Sequence, residues 1–272
     1  MNQLASRLFA ILDSFPRALI AYSGGVDSAC LLKAAHDRLG DRALGVIADS
    51  PSLPRAELAE ALRLAKQIGA RVEVVRTEEF SNPDYLANPV DRCYFCKQEL
   101  FQKMKVLAAC ARRDDFHVLA YGENADDVGE FRPGAKAASE FQVRAPLKEA
   151  GLTKADVRAL SAAWGLPTAD KPASPCLSSR VPHGAKVSVE ALAKIEAGET
   201  AIRNLGFRVF RLRHLPAATG QGNHARLEFS PDELARALSE KWSGQIIRAT
   251  LAAGYHQVEI DPNGYRGKTG VR

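Results

Sequence analysis

Four short apolar runs alternate with amphipathic segments over the first 165 residues, and this alternation constrains the fold more than any other feature of the chain. Residues 17–22 (RALIAY), 43–48 (ALGVIA), 71–76 (RVEVVR) and 116–121 (FHVLAY) have the length and branched-chain content of buried strands. Between them lie segments with helical spacing: one that follows Ser23–Ser28 and runs to about Leu39, one from Pro54 to about Ile68, and one from about Cys93 to Arg112. Ser52 is placed to cap the second of these. Thr153 and Asp156 resemble a capping box for a further helix to Trp164. Strand-helix alternation of this kind predicts an α/β fold, a parallel sheet with helices on both faces. The opening stretch MNQLASRLFAILDSF carries one basic residue, Arg7, and no small-residue cleavage site follows, so it reads as an amphipathic helix and not as a signal peptide. No run of about 18 apolar residues is present, which excludes an apolar helical membrane span and favours a cytoplasmic location.

The texture changes after Trp164. Residues 165–186 hold Pro167, Pro172, Pro175 and Pro182 with Gly165 and Gly184, a loop long enough to be functional. A helix (188–205), two strands (207–214 and 224–229), two helices (231–241 and 243–253) and a last strand (255–260) follow. The expected organisation is a first domain over 1–165, a loop over 166–186, and a smaller α+β C-terminal domain over 187–272. The excess charge sits in the last part. Residues 200–272 hold 11 basic and 6 acidic side chains, whereas residues 1–199 hold 26 of each. An anionic partner suits such a region, either a phosphorylated small molecule or nucleic acid.

Ser23-Gly24-Gly25-Val26-Asp27-Ser28 joins the first strand to its helix. Serine and glycine permit a tight turn whose backbone N–H groups approach phosphate oxygens, at a helix end that is partially positive. The Ser23 and Ser28 hydroxyls can add hydrogen bonds, and Asp27 can help to position Mg2+. A Walker A loop holds the outer phosphates with a lysine. SGGVDS has none, which points to a different bond being cleaved. The plainer reading is an ordinary glycine-rich turn.

Five cysteines, an odd number in a chain read as cytoplasmic, argue against a disulfide framework. Cys30 and Cys110 lie among apolar residues at helical spacing and read as small core side chains. Cys93 and Cys96 form a Cys-x-x-Cys pair, and Cys176 sits in the loop KPASPCLSSRVPHG. Arg180, Lys171 and His183 are near Cys176 in sequence, and positive charge would favour its thiolate. For the three thiols an iron–sulfur cluster, a structural zinc with His183 as fourth ligand, and plain packed thiols all stand open.

Ser23 to Ser28 resembles the PP-loop of the ATP pyrophosphatases, the adenine-nucleotide α-hydrolase-like group, whose members adenylylate an oxygen nucleophile and release pyrophosphate. Gly122-Glu123-Asn124-Ala125-Asp126-Asp127 resembles a second element of that group, with Glu123 where threonine is usual. The resemblance implies that Ser23, Gly24, Gly25, Asp27, Ser28, Asp49, Ser50, Asn124 and Asp126 line the ATP site, with Mg2+ as its metal. Arg92-Cys93-Tyr94-Phe95-Cys96-Lys97, Glu130-Phe131-Arg132-Pro133-Gly134 and Pro175-Cys176-Leu177-Ser178-Ser179-Arg180 together look like the LarE-type sulfurtransferases. That family implies adenylylation of a carboxylate of pyridinium-3,5-biscarboxylic acid mononucleotide and its conversion to a thiocarboxylate, for the nickel-pincer nucleotide cofactor of lactate racemase and related enzymes. Adenylylation makes sense of the chemistry, because a carboxylate is a poor electrophile until AMP becomes its leaving group. In one design of the family a lone cysteine sacrifices its sulfur. In the other, three cysteines hold a 4Fe-4S cluster that carries exogenous sulfide. Cys93, Cys96 and Cys176 look like the second, with Cys176 and Asp27 as the catalytic residues. The resemblance also implies a homo-oligomer, with a hexamer built from dimers as its form.

In the strand Val209–His214, alternation puts Arg211 and Arg213 on one face, and Arg226 shares a face with Glu228. If the two strands pair, a two-arginine anion cradle forms beside a carboxylate. The resemblance assigns Arg180, Glu199, Arg211, Arg213 and Glu228 to a phosphate-bearing substrate. The alternatives are a tRNA thiolation enzyme of the same superfamily, although no RNA-binding domain or second Cys-x-x-Cys is evident, and a non-catalytic nucleotide sensor.

Overall fold

The computed structural model describes residues 2–110, 116–127, 129, 132–216 and 222–265. In chain order the elements are α1 (Asn2–Asp13), β1 (Ala18–Ala21), α2 (Val26–Leu39), β2 (Ala43–Asp49), α3 (Arg55–Ile68), β3 (Val72–Arg76), α4 (Pro83–Leu86), α5 (Arg92–Ala109), β4 (Val118–Tyr121), α6 (Pro133–Glu140), α7 (Pro146–Glu149), α8 (Lys154–Ala163), α9 (Val189–Asn204), β5 (Phe210–Pro216), β6 (Asn223–Phe229), α10 (Pro231–Leu238), α11 (Glu240–Ala252) and β7 (Gln257–Ile260). Two compact units result. One comprises Met1–Asn82 with Asp91–Ser174, the other Pro83–Val90 with Pro175–Arg272. Among the described residues no helix is long and apolar enough to cross a membrane.

The first unit is the expected parallel sheet, in the order β3-β2-β1-β4. Strand alternation sorts its core into two layers. Ala18 and Ile20 of β1 face a layer built from Leu8 and Leu12 of α1, Leu31 and Ala35 of α2, Leu64 and Ile68 of α3, and Val157 and Leu160 of α8. Leu19 and Ala21 face the opposite layer, with Leu100, Phe101 and Met104 of α5 and Ala137 and Ala138 of α6. Strand order reverses at β1, because β2 lies on one side and β4 on the other. The carboxyl ends of β1 and β4 therefore border the crevice in which folds of this kind bind ligands.

The second unit is a mixed three-stranded sheet, β5-β6-β7, antiparallel between β5 and β6 and parallel between β6 and β7. Phe210, Leu212, Ala225, Leu227 and Phe229 form its buried face. Helix α9 lies close on it, so a Cβ added to Gly198 would stand 2.5 Å from Leu212 Cδ1.

Several local expectations are corrected. Ser52 does not cap α3. Pro54 is the N-cap residue, and the Ser52 hydroxyl instead meets Ser50 Oγ at 2.8 Å. Cys110 is exposed, not core, because α5 ends at Ala109 and the extended backbone of Cys110 leaves the helical face of Met104 and Leu107. Cys30 is fully buried as expected, and burial raises its thiol pKa to about 12, so it is inert. The short helices α4, α6 and α7 escaped the sequence pattern because each is at most two turns long. Strand β5 starts at Phe210, three residues later than expected. Arg112, Glu130 and Phe131 lie outside the described residues.

Candidate functional site

The strand-to-helix turn after β1 has a tightly held geometry. Gly24 has φ +72°, and a Cβ there would lie 2.7 Å from Ala61 Cβ, so both backbone and space call for glycine. Ser28 Oγ accepts the Ser23 N–H at 3.1 Å, donates to the Gly25 carbonyl at 3.1 Å and lies 3.0 Å from Ser23 Oγ. Those bonds fix the curl of the turn. Gly25 is the N-cap of α2 and offers no side-chain cap, so the helix end keeps its positive character for an anion.

The loop after β4 packs directly on this turn. A Cβ added to Gly122 would stand 2.9 Å from Asp27 C and 2.9 Å from Ser28 N, both backbone atoms. Asn124, 2% exposed, extends Nδ2 to Asp27 Oδ1 at 3.4 Å, and its Oδ1 accepts the Asp126 N–H at 3.0 Å. Asp127 Oδ2 accepts the Asn124 N–H at 3.1 Å and is ion-paired with Arg132. Glu123, at the position where threonine was expected, is 5% exposed. It accepts a short hydrogen bond from the Tyr121 hydroxyl and lies 3.4 Å from Lys148 Nζ. Its carboxylate is therefore a buried brace of the loop. Gly122→Ala should cost about 1–3 kcal/mol of stability, because the atoms its Cβ meets are backbone, and urea denaturation checks this.

Sequence inspection missed Lys148 and Lys154 here, and it gave Lys171 and Arg132 no part at this turn. Lys154 Nζ lies 2.5 Å from Asp27 Oδ2. The capping box at Thr153 and Asp156 is present in full, and Asp126 Oδ2 accepts the Lys154 N–H at 2.8 Å, which fixes where that side chain starts. Lys171 Nζ reaches Glu57 Oε2 at 2.7 Å, Glu60 Oε2 at 3.0 Å and the Gly24 carbonyl at 3.5 Å, tying the segment before Ser174 to the turn. Lys148 and Arg132 hold Glu123 and Asp127 as described. These cations lie well away from SGGVDS in sequence, so no local pattern reveals them. On the other side, at the end of β2, Asp49 pairs with Arg55 at 2.6 Å, and the Ser50 carbonyl accepts from the same guanidinium at 2.8 Å.

Cys93 and Cys96 sit one turn apart at the start of α5, Cys93 exposed and Cys96 half-buried. Helical spacing puts their side chains on one face. Among the described residues no group of three or more His, Cys, Asp or Glu side chains is gathered to hold a metal ion.

Within the second unit, Cys176 is half-buried and precedes a 3-10 turn, Leu177–Arg180. The proline-rich loop is tightly fixed. Tyr85 Oη meets Ser178 Oγ at 2.9 Å, and Asn88 Nδ2 donates to the carbonyls of Val181, Pro182 and Ala185. Arg180, 1% exposed, donates through Nε to Glu199 Oε1 at 2.8 Å and through Nη1 to the Pro175 and Cys176 carbonyls. It therefore grips the backbone at Cys176. Lys171, the other cation near in sequence, is engaged by Glu57 and Glu60. Glu199 is fully buried. Burial pushes its carboxyl pKa up, but the charges of Arg180 and Arg203 and the bonds they donate outweigh this and hold it below the usual range.

Strands β5 and β6 pair so that Arg211 faces Glu228 and Arg213 faces Arg226. Arg213 Nε donates to Glu228 Oε2 at 3.0 Å, and its Nη1 donates to the Ser179 carbonyl at 3.2 Å. Arg211 lies over the Tyr265 ring, and burial followed by the Arg180 charge lowers its pKa. Arg226 turns instead to Glu259. Arg211, Arg213 and Glu228 thus lie on the face of the sheet opposite the apolar core.

No family model matches the chain. It is 32% identical over 260 residues to the pyridinium-3,5-bisthiocarboxylic acid mononucleotide synthase of Lactiplantibacillus plantarum, a match spanning 95% of this chain and 90% of that protein. An uncharacterised protein of Synechocystis is 41% identical over 260 residues, spanning 96% and 92%. One from Methanocaldococcus jannaschii is 29% identical over 250 residues, spanning 92% and 91%.

Proposed function

The chain belongs to the pyridinium-3,5-bisthiocarboxylic acid mononucleotide synthase family, and we propose that it is an ATP-dependent sulfurtransferase acting on a carboxylate of pyridinium-3,5-biscarboxylic acid mononucleotide. The observation that carries this reading is the packing of two loops at the switch point of the parallel sheet. Gly122 lies against the backbone of Asp27 and Ser28, so a turn suited to phosphate and an asparagine-aspartate loop form one wall.

In the proposed reaction the substrate carboxylate oxygen attacks the α-phosphorus of ATP. The bond to the β-phosphate oxygen breaks and pyrophosphate leaves. Ser23, Gly24, Gly25 and Ser28 bind the phosphates, Asp27 and Asp126 suit a magnesium ion, and Asp49, Ser50 and Asn124 border the nucleotide. Magnesium, when bound, supplies charge neutralisation for the leaving pyrophosphate. A sulfur nucleophile then attacks the acyl carbon, AMP departs, and a thiocarboxylate remains after the sulfur parts from its donor. Arg211, Arg213 and Glu228 form the cradle proposed to hold the substrate phosphate. Arg180 and Glu199 support it and position the Cys176 loop.

The cluster reading rests on donor chemistry alone: Cys93 and Cys96 lie one helical turn apart in the first unit, and Cys176, the third thiol, belongs to the second. When bound, a 4Fe-4S cluster with three protein ligands supplies an open iron for exogenous sulfide. Anaerobic reconstitution followed by iron and labile-sulfide analysis distinguishes the two designs. Roughly four irons per chain, lost when Cys93 or Cys96 is replaced, supports the cluster. A colourless, iron-free protein supports sacrifice of the Cys176 sulfur. The function as a whole is tested by incubating purified protein, ATP, magnesium, a sulfide source and the biscarboxylic mononucleotide. Mass spectrometry should show a thiocarboxylate that depends on ATP, and unchanged substrate would contradict the proposal.

A further inference from the structure

The phosphate turn Ser23–Ser28 contains no lysine or arginine, yet a nucleoside triphosphate brings several negative charges to it. The nearby acidic groups make the shortage worse: Asp27 lies in the turn, and Asp126 and Asp127 lie in the loop that packs on it. Arg132 is paired with Asp127. Lys171 is shared between two glutamates. Lys154 differs from both. Its ammonium is paired with Asp27 itself, and its side chain is 39% exposed at the mouth of the crevice. Its backbone is anchored by the Thr153–Asp156 box and by Asp126, so the flexible stem starts from a fixed point. Asn124 reaches the other oxygen of Asp27, so that carboxylate keeps a partner if the lysine turns away. An ammonium on a four-carbon stem can move from one anion to another a few ångströms away, at little cost in an exposed site.

We propose that Lys154 is a phosphate-binding residue. It neutralises Asp27 in the nucleotide-free protein and turns onto the phosphate chain when a nucleoside triphosphate enters, releasing the Asp27 carboxylate for the accompanying magnesium. Lys154 thus supplies from α8 the cation that a Walker-type loop carries within itself. This rests on the ATP-binding part of the function proposed above and is independent of how sulfur is delivered.

The test is calorimetric binding of α,β-methylene ATP with magnesium, and of adenosine, to the full chain. Lys154→Met should weaken the triphosphate analogue about ten- to a hundredfold while leaving adenosine unchanged, the loss expected for one charge-assisted contact. Lys154→Arg should recover much of the loss. Because Lys154→Met also strands Asp27, the double variant Lys154→Met/Asp27→Asn is compared with Asp27→Asn alone, which itself loses a proposed magnesium ligand. The double variant should bind the triphosphate analogue about tenfold more weakly still than Asp27→Asn. Equal affinity of the two would show that Lys154 serves only Asp27 and would overturn the proposal. Wild-type affinity in Lys154→Met, or an equal loss for adenosine, would also overturn it. Failure of the wild-type protein to bind the analogue would instead overturn the ATP-dependent function, and this role with it.

Discussion

Cys176→Ala is expected to abolish formation of the thiocarboxylate, by more than about a thousandfold, while leaving the affinity for ATP unchanged. The asymmetry follows from where the residue sits. The phosphate turn, Asn124 and Lys154 all lie in the unit of the parallel sheet, whereas Cys176 precedes the 3-10 turn of the other unit. Its side chain is half-buried, and the loop around it is held by backbone and neighbouring side-chain bonds: Arg180 on the Cys176 carbonyl, Tyr85 on Ser178, and Asn88 on Val181, Pro182 and Ala185. None of these bonds uses the sulfur, so alanine should leave the loop in place. Adenylylation should continue, and pyrophosphate should form without a sulfur product. Mass spectrometry of product and pyrophosphate release read together check this. Unchanged sulfur transfer would remove Cys176 from the reaction.

Glu199→Ala should destabilise the protein by about 3–5 kcal/mol, because it leaves Arg180 buried with its charge uncompensated. The pair is enclosed, with the side chains of Arg180 and Glu199 1% and 0% exposed. Glu199 also accepts from Arg203 and from the Leu212 backbone. Breaking it should loosen the Cys176 loop as well, since the same guanidinium holds the Pro175 and Cys176 carbonyls. The pH dependence has a definite sign. The folded-state pKa of Glu199 is lowered from the ordinary 4.5, so its contribution is complete above that value. It is lost as pH falls from there through the lower folded-state pKa. Urea denaturation from neutral pH down to acid should therefore show wild-type stability falling toward that of Glu199→Gln below the ordinary glutamate value. Parallel curves for the two proteins would contradict the assignment.

The fold was legible in the sequence because its strands are short, apolar and separated by helices of clear periodicity. The run RALIAY yields a strand with every residue of Ala18–Ala21 buried, and the Thr153–Asp156 capping box predicted from four residues is present in full. The tight turn at Ser23–Ser28 was legible because Gly24 answers to a local backbone need. What was not legible depends on contacts distant in sequence. Lys154 lies 127 positions from Asp27, and Asn88 reaches carbonyls 93 to 97 positions away. The segment holding Pro83 and Pro89 read only as a polar loop, yet Tyr85 and Asn88 clamp the Cys176 region. Arg180 illustrates the same limit from the other direction. Its nearness to Cys176 in sequence suggested a cation for the thiolate, but the fold spends that guanidinium on Glu199 and on main-chain carbonyls. That Arg211 and Arg213 share a face with Glu228, by contrast, followed from strand alternation once β5 and β6 were paired.

The proposed reaction turns on which phosphorus of ATP is attacked, and by which oxygen. The decisive measurement uses biscarboxylic mononucleotide labelled with oxygen-18 in its carboxylates, incubated with the protein, ATP, magnesium and a sulfide source. Attack at the α-phosphorus predicts AMP and pyrophosphate, with one heavy oxygen transferred into the AMP. Formation of ADP, or AMP that carries no label, would contradict it.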